Sequence, residues 1–284
     1  MWLVRHARRM WPRPARPGAG PPPRDRGVGE NAGVTLPLYL TSPGALAGAA
    51  VGGRADLDGA EARHAVAVRR TAVGELVQLA DGEGALVVGP VVAAAPDRLT
   101  IRVDEVHHLE EPSPRFVLVQ ALAKNDRDDQ AIEAATELGV DEVIPWQSER
   151  CIVQWRGERG EKAHRKWDQI LLAATKQSRR ARRPALAPLL ATSGLAQRVE
   201  RVVREGGTAY VLHEEASTPL AGADLPTAGD VLVIVGPEGG IAPGEVEALT
   251  RAGALPVRLG STVLRSSSAG PAALAVLNAQ ARWR

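Results

Sequence analysis

Two polar loops in the C-terminal half of the chain hold the residues whose types could do chemistry. The first, Gly236-Pro-Glu-Gly-Gly240, follows the apolar run 231–235 and precedes a helix pattern that starts at Pro243. Its glycines would let backbone N–H groups approach a ligand closely. The loop matches neither a Walker A sequence nor a GxGxxG fingerprint, so a nucleotide triphosphate or a dinucleotide gains no support. A purely structural turn after a strand is the alternative interpretation.

The second loop spans residues 259–268 and precedes an apolar C-terminal helix pattern. It places Arg265 between Leu264 and three serines. The serines are good candidates to cap the helix. An arginine at a strand end is well suited to contact an anion or the edge of a base, because its guanidinium presents several donors in a fixed plane. An ordinary surface arginine is the alternative for Arg265.

A third feature is a concentrated basic segment. Between Arg150 and Pro184 there are eleven Lys or Arg residues against three acids, whereas the whole chain carries a formal charge of only +2. Such an excess is typical of surfaces that bind the phosphates of RNA. A solvated helix face is the alternative, but the end of the segment runs into a proline loop. We predict RNA contacts from Arg150, Arg179, Arg180, Arg182 and Arg183.

The composition excludes several classes of protein. With 284 residues, of which 44% are hydrophobic and 24% charged, the chain can bury a sizeable core. The single cysteine, Cys151, excludes a disulfide framework and a four-cysteine zinc site. His107 and His108 have no partner at metal-ligand spacing, so we expect no metal. No apolar run reaches the roughly 20 residues of a membrane span. We therefore expect a cytoplasmic protein without membrane contact.

The chain divides into three parts by its patterns. Residues 1–33 are rich in arginine and proline and are predicted to form a disordered tail. An RNA-touching arm and a translated upstream region without a role are both open for it. Residues 34–109 alternate short strand patterns with turns, which indicates a small β-barrel or sheet, with a helical piece at 61–70. Residues 110–114 read as a linker.

The third part, residues 115–284, alternates strand and helix patterns. This alternation predicts an α/β domain with a mostly parallel sheet covered on both faces. Asp126 is predicted to cap its first helix. Ligands of such sheets bind at the carboxyl ends of the strands. The loops after Leu212, Val235 and Leu259 are therefore the predicted ligand-binding loops.

These motifs together resemble one known family. Leu212-His-Glu-Glu215, Gly236-Pro-Glu-Gly-Gly240 and Leu259-Gly-x-x-Val-Leu-Arg265 are similar to motifs of the RsmE family. Its members are SPOUT-class methyltransferases that modify N3 of one uridine in small-subunit ribosomal RNA. Further matches are Thr136-Glu-Leu-Gly-Val140, Ser148-Glu-Arg150, Gln177-Ser178, Arg180 and Pro184 in the second half, and His64, Arg69, Gly74-Glu75 and Asp81-Gly82 in the first. The ordered set runs from about Leu36 to the C-terminus.

The resemblance implies a fold and a set of partners. The fold would be α/β, with a C-terminal SPOUT-type knotted parallel-sheet methyltransferase domain and a smaller N-terminal PUA-like β-barrel that binds RNA. The cofactor would be S-adenosyl-L-methionine, the substrate 16S rRNA or the small ribosomal subunit, and the protein a homodimer. Arg69 would contact RNA from the barrel. The cofactor would be held by Leu212, His213, Gly236, Pro237, Glu238, Gly239, Gly240, Leu259, Gly260, Val263, Leu264 and Arg265.

The expected chemistry follows from the target atom. Uracil N3 carries a proton and becomes nucleophilic only when that proton is lost. We expect Arg265 to stabilise negative charge developing on the uracil oxygens. Glu238 is the candidate base, with contact to the following helix N-terminus or to the loop backbone as its alternative. The family often has Glu-Thr where Ser267 and Ser268 stand, so no catalytic role is transferred to position 267.

Two other functions remain open at this stage. One is a ribose 2′-hydroxyl methyltransferase of the same fold class, whose members also carry a Gly-Pro-Glu-Gly-Gly loop. The barrel and the Ser148-Glu-Arg150 motif favour the uridine-N3 enzyme over it. The other is a ribosome-assembly factor that keeps the fold and the RNA surface without catalysis.

Overall fold

The structure is a computed structural model that describes residues 36–283. The predicted tail, residues 1–33, lies outside the described residues. The described part of the chain contains two β-sheets, which differ in the direction of their strands. The N-terminal sheet is mixed, whereas every pairing in the C-terminal sheet is parallel.

The N-terminal sheet has six strands in the order β1-β3-β4-β5-β2, with β6 paired to β4. Only β1 and β3 run parallel. The predicted helical piece is present as α1, Gly59–Arg63, followed by a π-helical turn, His64–Val68. The strands are β1 Leu38–Leu40, β2 Arg54–Asp58, β3 Leu76–Ala80, β4 Ala85–Ala95, β5 Arg98–Arg102 and β6 Glu105–His108.

The C-terminal sheet has seven strands in the order β10-β8-β7-β12-β11-β13, with β9 paired to β8. Its central strands are buried along most of their length, because helices cover both faces. The strands are β7 Arg115–Ala121, β8 Glu142–Gln147, β9 Ala185–Leu186, β10 Leu190–Ala191, β11 Thr208–Leu212, β12 Asp230–Val235 and β13 Leu255–Val257. The helices are α2 Arg127–Glu137, α3 Gly157–Gln177, α4 Thr192–Arg204, α5 Pro243–Arg251 and α6 Ser266–Ala281.

The C-terminal helix α6 does not lie beside the strand that precedes it. β13 is at the outer edge of the sheet, whereas α6 packs against α2, β7 and β12 in its middle. Near its C-terminal end, α6 also contacts the short 3₁₀ turn 220–222, where Gln280 donates to the carbonyl of Ala221 at 2.7 Å. The first turn of α6 lies among the loops that follow β11, β12 and β13.

The end of α6 is fastened by a buried ionic cluster. Arg282 donates to Asp141 at 2.5 Å and lies over the ring of Phe116, 3.9 Å from its centroid. The side chain of Asp141 is only 8% exposed, and it also pairs with Arg180 and accepts the backbone N–H of Phe116 at 2.8 Å. One carboxylate therefore joins α6, the loop after α3 and the start of β7.

The predicted cap of α2 is wrong in its chemistry. Asp126 does precede the helix, but its backbone has φ 55° and its side chain makes no capping hydrogen bond. Its carboxylate instead accepts from Lys166 of α3 at 2.9 Å. The buried Asp128 accepts the backbone N–H groups of Ala123 and Asp129, so it fastens this end of the helix. Burial raises the pKa of Asp128.

The part of the basic segment that follows α3, residues 178–184, joins the two sheets. The guanidinium of Arg182 donates to the carbonyl of Leu109 and packs on Gly84, where a Cβ atom would lie 2.5 Å from it. The N–H of Arg183 donates to the carbonyl of Gly82 at 2.8 Å. A small apolar cluster completes the junction, with Leu40, Ala80 and Leu86 from the barrel packed against Leu172 and Ala181. This contact explains why the first half of β4 is buried on both faces.

Within residues 36–283, no helix is long and apolar enough to cross a membrane. The same part of the chain holds no group of three His, Cys, Asp or Glu side chains that could bind a metal ion. Cys151 is buried, and burial raises the pKa of its thiol to about 11. It is therefore a protonated, unreactive thiol near neutral pH.

Candidate functional site

A cavity of about 680 Å³ opens at the carboxyl edge of the parallel sheet. Its walls are the loops that follow β11, β12 and β13, together with the first turn of α6. The structure brings together here every residue that was predicted to hold the cofactor: Leu212, His213, Gly236, Pro237, Glu238, Gly239, Gly240, Leu259, Gly260, Val263, Leu264 and Arg265. Neighbouring strands end at the same edge, which is why distant loops converge.

The glycine loop owes its shape to its sequence. A Cβ atom on Gly236 would lie 2.5 Å from the side chain of Ile241, so this position has no room for another residue. Gly240 has φ +73°, a backbone conformation that favours glycine, and its N–H closes a turn onto the carbonyl of Pro237 at 2.9 Å. The loop thus curls tightly at the wall of the cavity.

Glu238 lines the cavity, and its carboxylate is bound to neighbouring protein groups. Its carboxylate accepts the backbone N–H of Lys124 at 3.1 Å and pairs with Arg127 at 3.4 Å. These contacts fasten the glycine loop to the loop between β7 and α2. The alternative interpretation of Glu238 predicts contact with the following helix N-terminus or with the loop backbone. The observed contacts are structural in the same sense, but they are made with the loop between β7 and α2.

Arg265 and Ser266 stand where α6 begins. Arg265 is exposed, lines the cavity and makes no ion pair with any residue in the described part of the chain. Ser266 is the first residue of the helix and is 8% exposed. Its hydroxyl is buried and has no hydrogen-bond partner among the residues described. Arg265, Ser266 with its unpartnered hydroxyl and the N-terminus of α6 therefore lie at one end of the cavity.

The predicted RNA-binding arginines divide into two groups. Arg69 and Arg179 are exposed, and Arg150 lines the cavity while donating to the carbonyl of Gly239 at 3.0 Å. The other three, for which RNA contact was also predicted, are half-buried and have partners within the chain. Arg180 donates to the carbonyls of Thr136 and Val140, Arg182 to Leu109, and Arg183 to Asp168. With a side chain only 16% exposed, Arg180 serves the fold.

Sequence reasoning missed several residues that form or support the cavity wall. Arg127, Glu214, Ile241 and Ser266 also line the cavity. Behind them, Glu245 of α5 accepts four hydrogen bonds from three separate parts of the chain. One local signal could have identified Glu245. A Glu that lies three residues after the N-cap position of a helix can accept a hydrogen bond from the backbone at the helix N-terminus. Its other partners come from parts of the chain that are distant in sequence.

Comparison with known proteins places the chain in a family. Residues 110–278 match an RNA methyltransferase domain, and residues 57–104 match an RNA methyltransferase PUA domain. A ribosomal RNA small subunit methyltransferase E from Mycobacterium bovis is 43% identical over 233 residues, which cover 82% of this chain and 89% of that protein. The chain belongs to the ribosomal RNA small subunit methyltransferase E family. A Bacillus subtilis member is 26% identical over 232 residues, covering 79% of this chain and 89% of that protein.

Solved structures of this family share the fold. The methyltransferase E of Neisseria gonorrhoeae, determined bound to S-adenosyl methionine, gives a TM-score of 0.75 at 26% identity, over 87% of this chain and 98% of that one. A methyltransferase from Legionella pneumophila in complex with the same cofactor gives 0.70 at 26% identity, over 87% and 99%. The predicted fold class is therefore confirmed: α/β, with a SPOUT-type knotted methyltransferase domain and a PUA-like domain.

Proposed function

We propose that this protein uses S-adenosyl-L-methionine to methylate N3 of a specific uridine in 16S rRNA. The observation that carries the proposal is the convergence of the three predicted loops and Arg265 on one cavity, in a chain of the methyltransferase E family. The substrate would be the rRNA or the small ribosomal subunit. The motifs that favour uridine N3 over a ribose hydroxyl are the barrel and Ser148-Glu-Arg150.

The cavity suits the proposed cofactor. About 680 Å³ is within the range of small-molecule sites, roughly 300–1,000 Å³. Gly236, Gly239 and Gly240 line the cavity without side chains, and the hydroxyl of Ser266 has no hydrogen-bond partner among the residues described. The loops 236–240 and 259–264 and His213 would hold the cofactor. When bound, S-adenosylmethionine supplies an electrophilic methyl group on its sulfonium.

The side chains of the cavity prepare the base for attack. Uracil N3 must lose its proton, and the resulting charge spreads to the neighbouring oxygens. Arg265 is free of ion pairs within residues 36–283, and it stands at the N-terminus of α6, which carries partial positive charge. It therefore stabilises the oxygens of the uracil anion in this proposal. Glu238 holds the glycine loop through Lys124 and Arg127, so in this proposal the N3 proton leaves to solvent water.

The organisation of the protein is part of the proposal. Residues 34–109 form the PUA-like RNA-binding domain, and residues 115–284 form the methyltransferase domain, which works as a homodimer in the cytoplasm. The ion pair between Lys176 and Glu61 brings the end of α3 beside α1. The exposed arginines Arg69 and Arg179 follow these two elements, so RNA would cross the junction between the domains.

Reversal of charge at Arg69 and Arg179 should weaken RNA binding. Each change to Glu is expected to lower affinity for 16S rRNA fragments by about tenfold, and to reduce the slope of log Kd against log salt by about 1. Filter binding over a salt series measures both quantities. Arg204→Glu, at an exposed arginine of α4 outside the basic segment, is the matched control. Equal affinity for the variants and the control would remove these residues from the interface.

The reaction itself is tested on rRNA. In cells that lack the gene, mass mapping of 16S rRNA should show the loss of one N3-methyluridine, and the mark should return when the gene is restored. A lost ribose methylation would instead identify the 2′-hydroxyl enzyme. Calorimetry with S-adenosylmethionine separates an enzyme from an inert assembly factor, because only the enzyme requires the cofactor. No lost mark would contradict the proposal.

A further inference from the structure

We propose that Glu245 is a positioning residue that holds the glycine loop 236–240 and the turn 148–150 together at the cofactor cavity. This inference rests on the proposed function, because it concerns the site that would bind S-adenosylmethionine. Glu245 does not line the cavity itself. It lies behind it, in the first turn of α5, with only 5% of the residue exposed.

Four donors converge on the Glu245 carboxylate from three parts of the chain. Oε2 accepts the backbone N–H of Ala242 at 3.2 Å and the hydroxyl of Ser148 at 3.0 Å. Oε1 accepts the backbone N–H of Glu149 at 2.9 Å and the hydroxyl of Thr192 at 2.6 Å. Buried carboxylates are costly unless they are hydrogen-bonded in this way, and the N-terminus of α5 adds favourable partial charge.

Each of these contacts leads directly to the cavity. Ala242 follows Ile241, whose side chain fills the space against Gly236. Glu149 precedes Arg150, which lines the cavity and donates to the carbonyl of Gly239 at 3.0 Å. The glycine loop is thus held at one end by α5 and in its middle by the turn 148–150. Glu245 is bonded both to Ala242, at the end of the glycine loop, and to the turn 148–150, so together with the Arg150–Gly239 bond it fixes their separation.

The donor pattern makes a specific demand on this side chain. Each carboxylate oxygen receives one backbone N–H, which cannot reverse its direction. A glutamine has nearly the same shape, but one of its two ends is an NH₂ group. In either orientation that NH₂ would face a backbone N–H, of Ala242 or of Glu149, and leave it unpaired. Ser148 and Thr192 can rotate their hydroxyls, whereas the main chain cannot adapt in that way.

The test compares Glu245→Gln with Glu247→Gln, a change of an exposed Glu on the same helix. Calorimetry with S-adenosylmethionine, well below the unfolding temperature of each protein, should give a Kd raised about tenfold or more for E245Q. For E247Q it should stay within about twofold. In hydrogen exchange of the cofactor-free proteins, peptides covering 148–153 and 236–242 should exchange faster in E245Q only, while barrel peptides stay unchanged.

The outcomes separate this inference from the proposed function. A lower unfolding temperature with an unchanged Kd and unchanged exchange in both loops would give Glu245 a merely structural role and overturn the inference. Failure of the wild-type protein to bind S-adenosylmethionine would overturn the proposed function, and hydrogen exchange would still decide on the positioning. Should E245Q not fold, Ser148→Ala removes one donor and keeps both backbone bonds. A rise in Kd of about twofold or more is then expected, and no rise would count against the inference.

Discussion

Replacement of Arg265 by Ala should lower the rate of methyl transfer by about 10²–10³-fold while the cofactor binds with nearly unchanged affinity. The reason is that the guanidinium faces the cavity without an ionic partner among the described residues, and is therefore available to the uracil oxygens in the transition state. Single-turnover transfer from S-adenosylmethionine to a 16S rRNA fragment measures the rate. Calorimetry measures the cofactor affinity.

Two controls make the Arg265 result specific. Arg265→Lys keeps one charge but loses the planar set of donors, so it should recover only part of the rate. Arg258→Ala removes another arginine of the cavity, located just before the loop 259–268. Its effect on the rate should be much smaller. Full activity of Arg265→Ala would exclude the proposed charge stabilisation.

The second large effect is expected at Asp141, on stability. Asp141→Ala should lower the free energy of unfolding by about 3–5 kcal/mol, because it leaves Arg282 and Arg180 as partly buried charges without their carboxylate. It also removes the acceptor for the backbone N–H of Phe116. Urea denaturation followed by circular dichroism measures the change.

An exposed ion pair is the matched control for Asp141. Asp104 pairs with Arg102 at 2.9 Å on the surface of the barrel. Asp104→Ala should barely move the denaturation midpoint, because exposed pairs are screened by solvent. If Asp141→Ala moved the midpoint as little as Asp104→Ala does, the ionic cluster would not be what fastens the end of α6.

The loops of the site were predictable because their signals are local. A buried strand pattern followed by glycines or by a polar turn marks a carboxyl edge, and parallel strands bring such edges together. The twelve residues that the family resemblance assigned to the cofactor come from these loops, and all of them line one cavity. Other features have weaker local signals. Strands β9 and β10 have two residues each, too short for an alternation to be recognised.

The basic segment shows what charge counting leaves undetermined. A run of arginines indicates that acceptors are needed nearby, but phosphates, carboxylates and carbonyls all qualify. In Arg180 and Arg182 the acceptors are carbonyls of this chain. The partners of Glu245 were equally undetermined by the sequence, because Ser148 and Thr192 are 97 and 53 residues away from it. Such contacts depend on the folded topology, which sequence spacing does not contain.

The arginines at the junction of the two sheets have a consequence for how the protein responds to salt. A guanidinium held by carbonyl oxygens and by close packing on Gly84 depends on short-range geometry, whereas a guanidinium facing phosphate across solvent depends on a field that dissolved ions weaken. Concentrated salt should therefore weaken RNA binding more than it weakens these arginine contacts at the junction. On the proposed function, the separation between the barrel and the cavity should then be insensitive to salt.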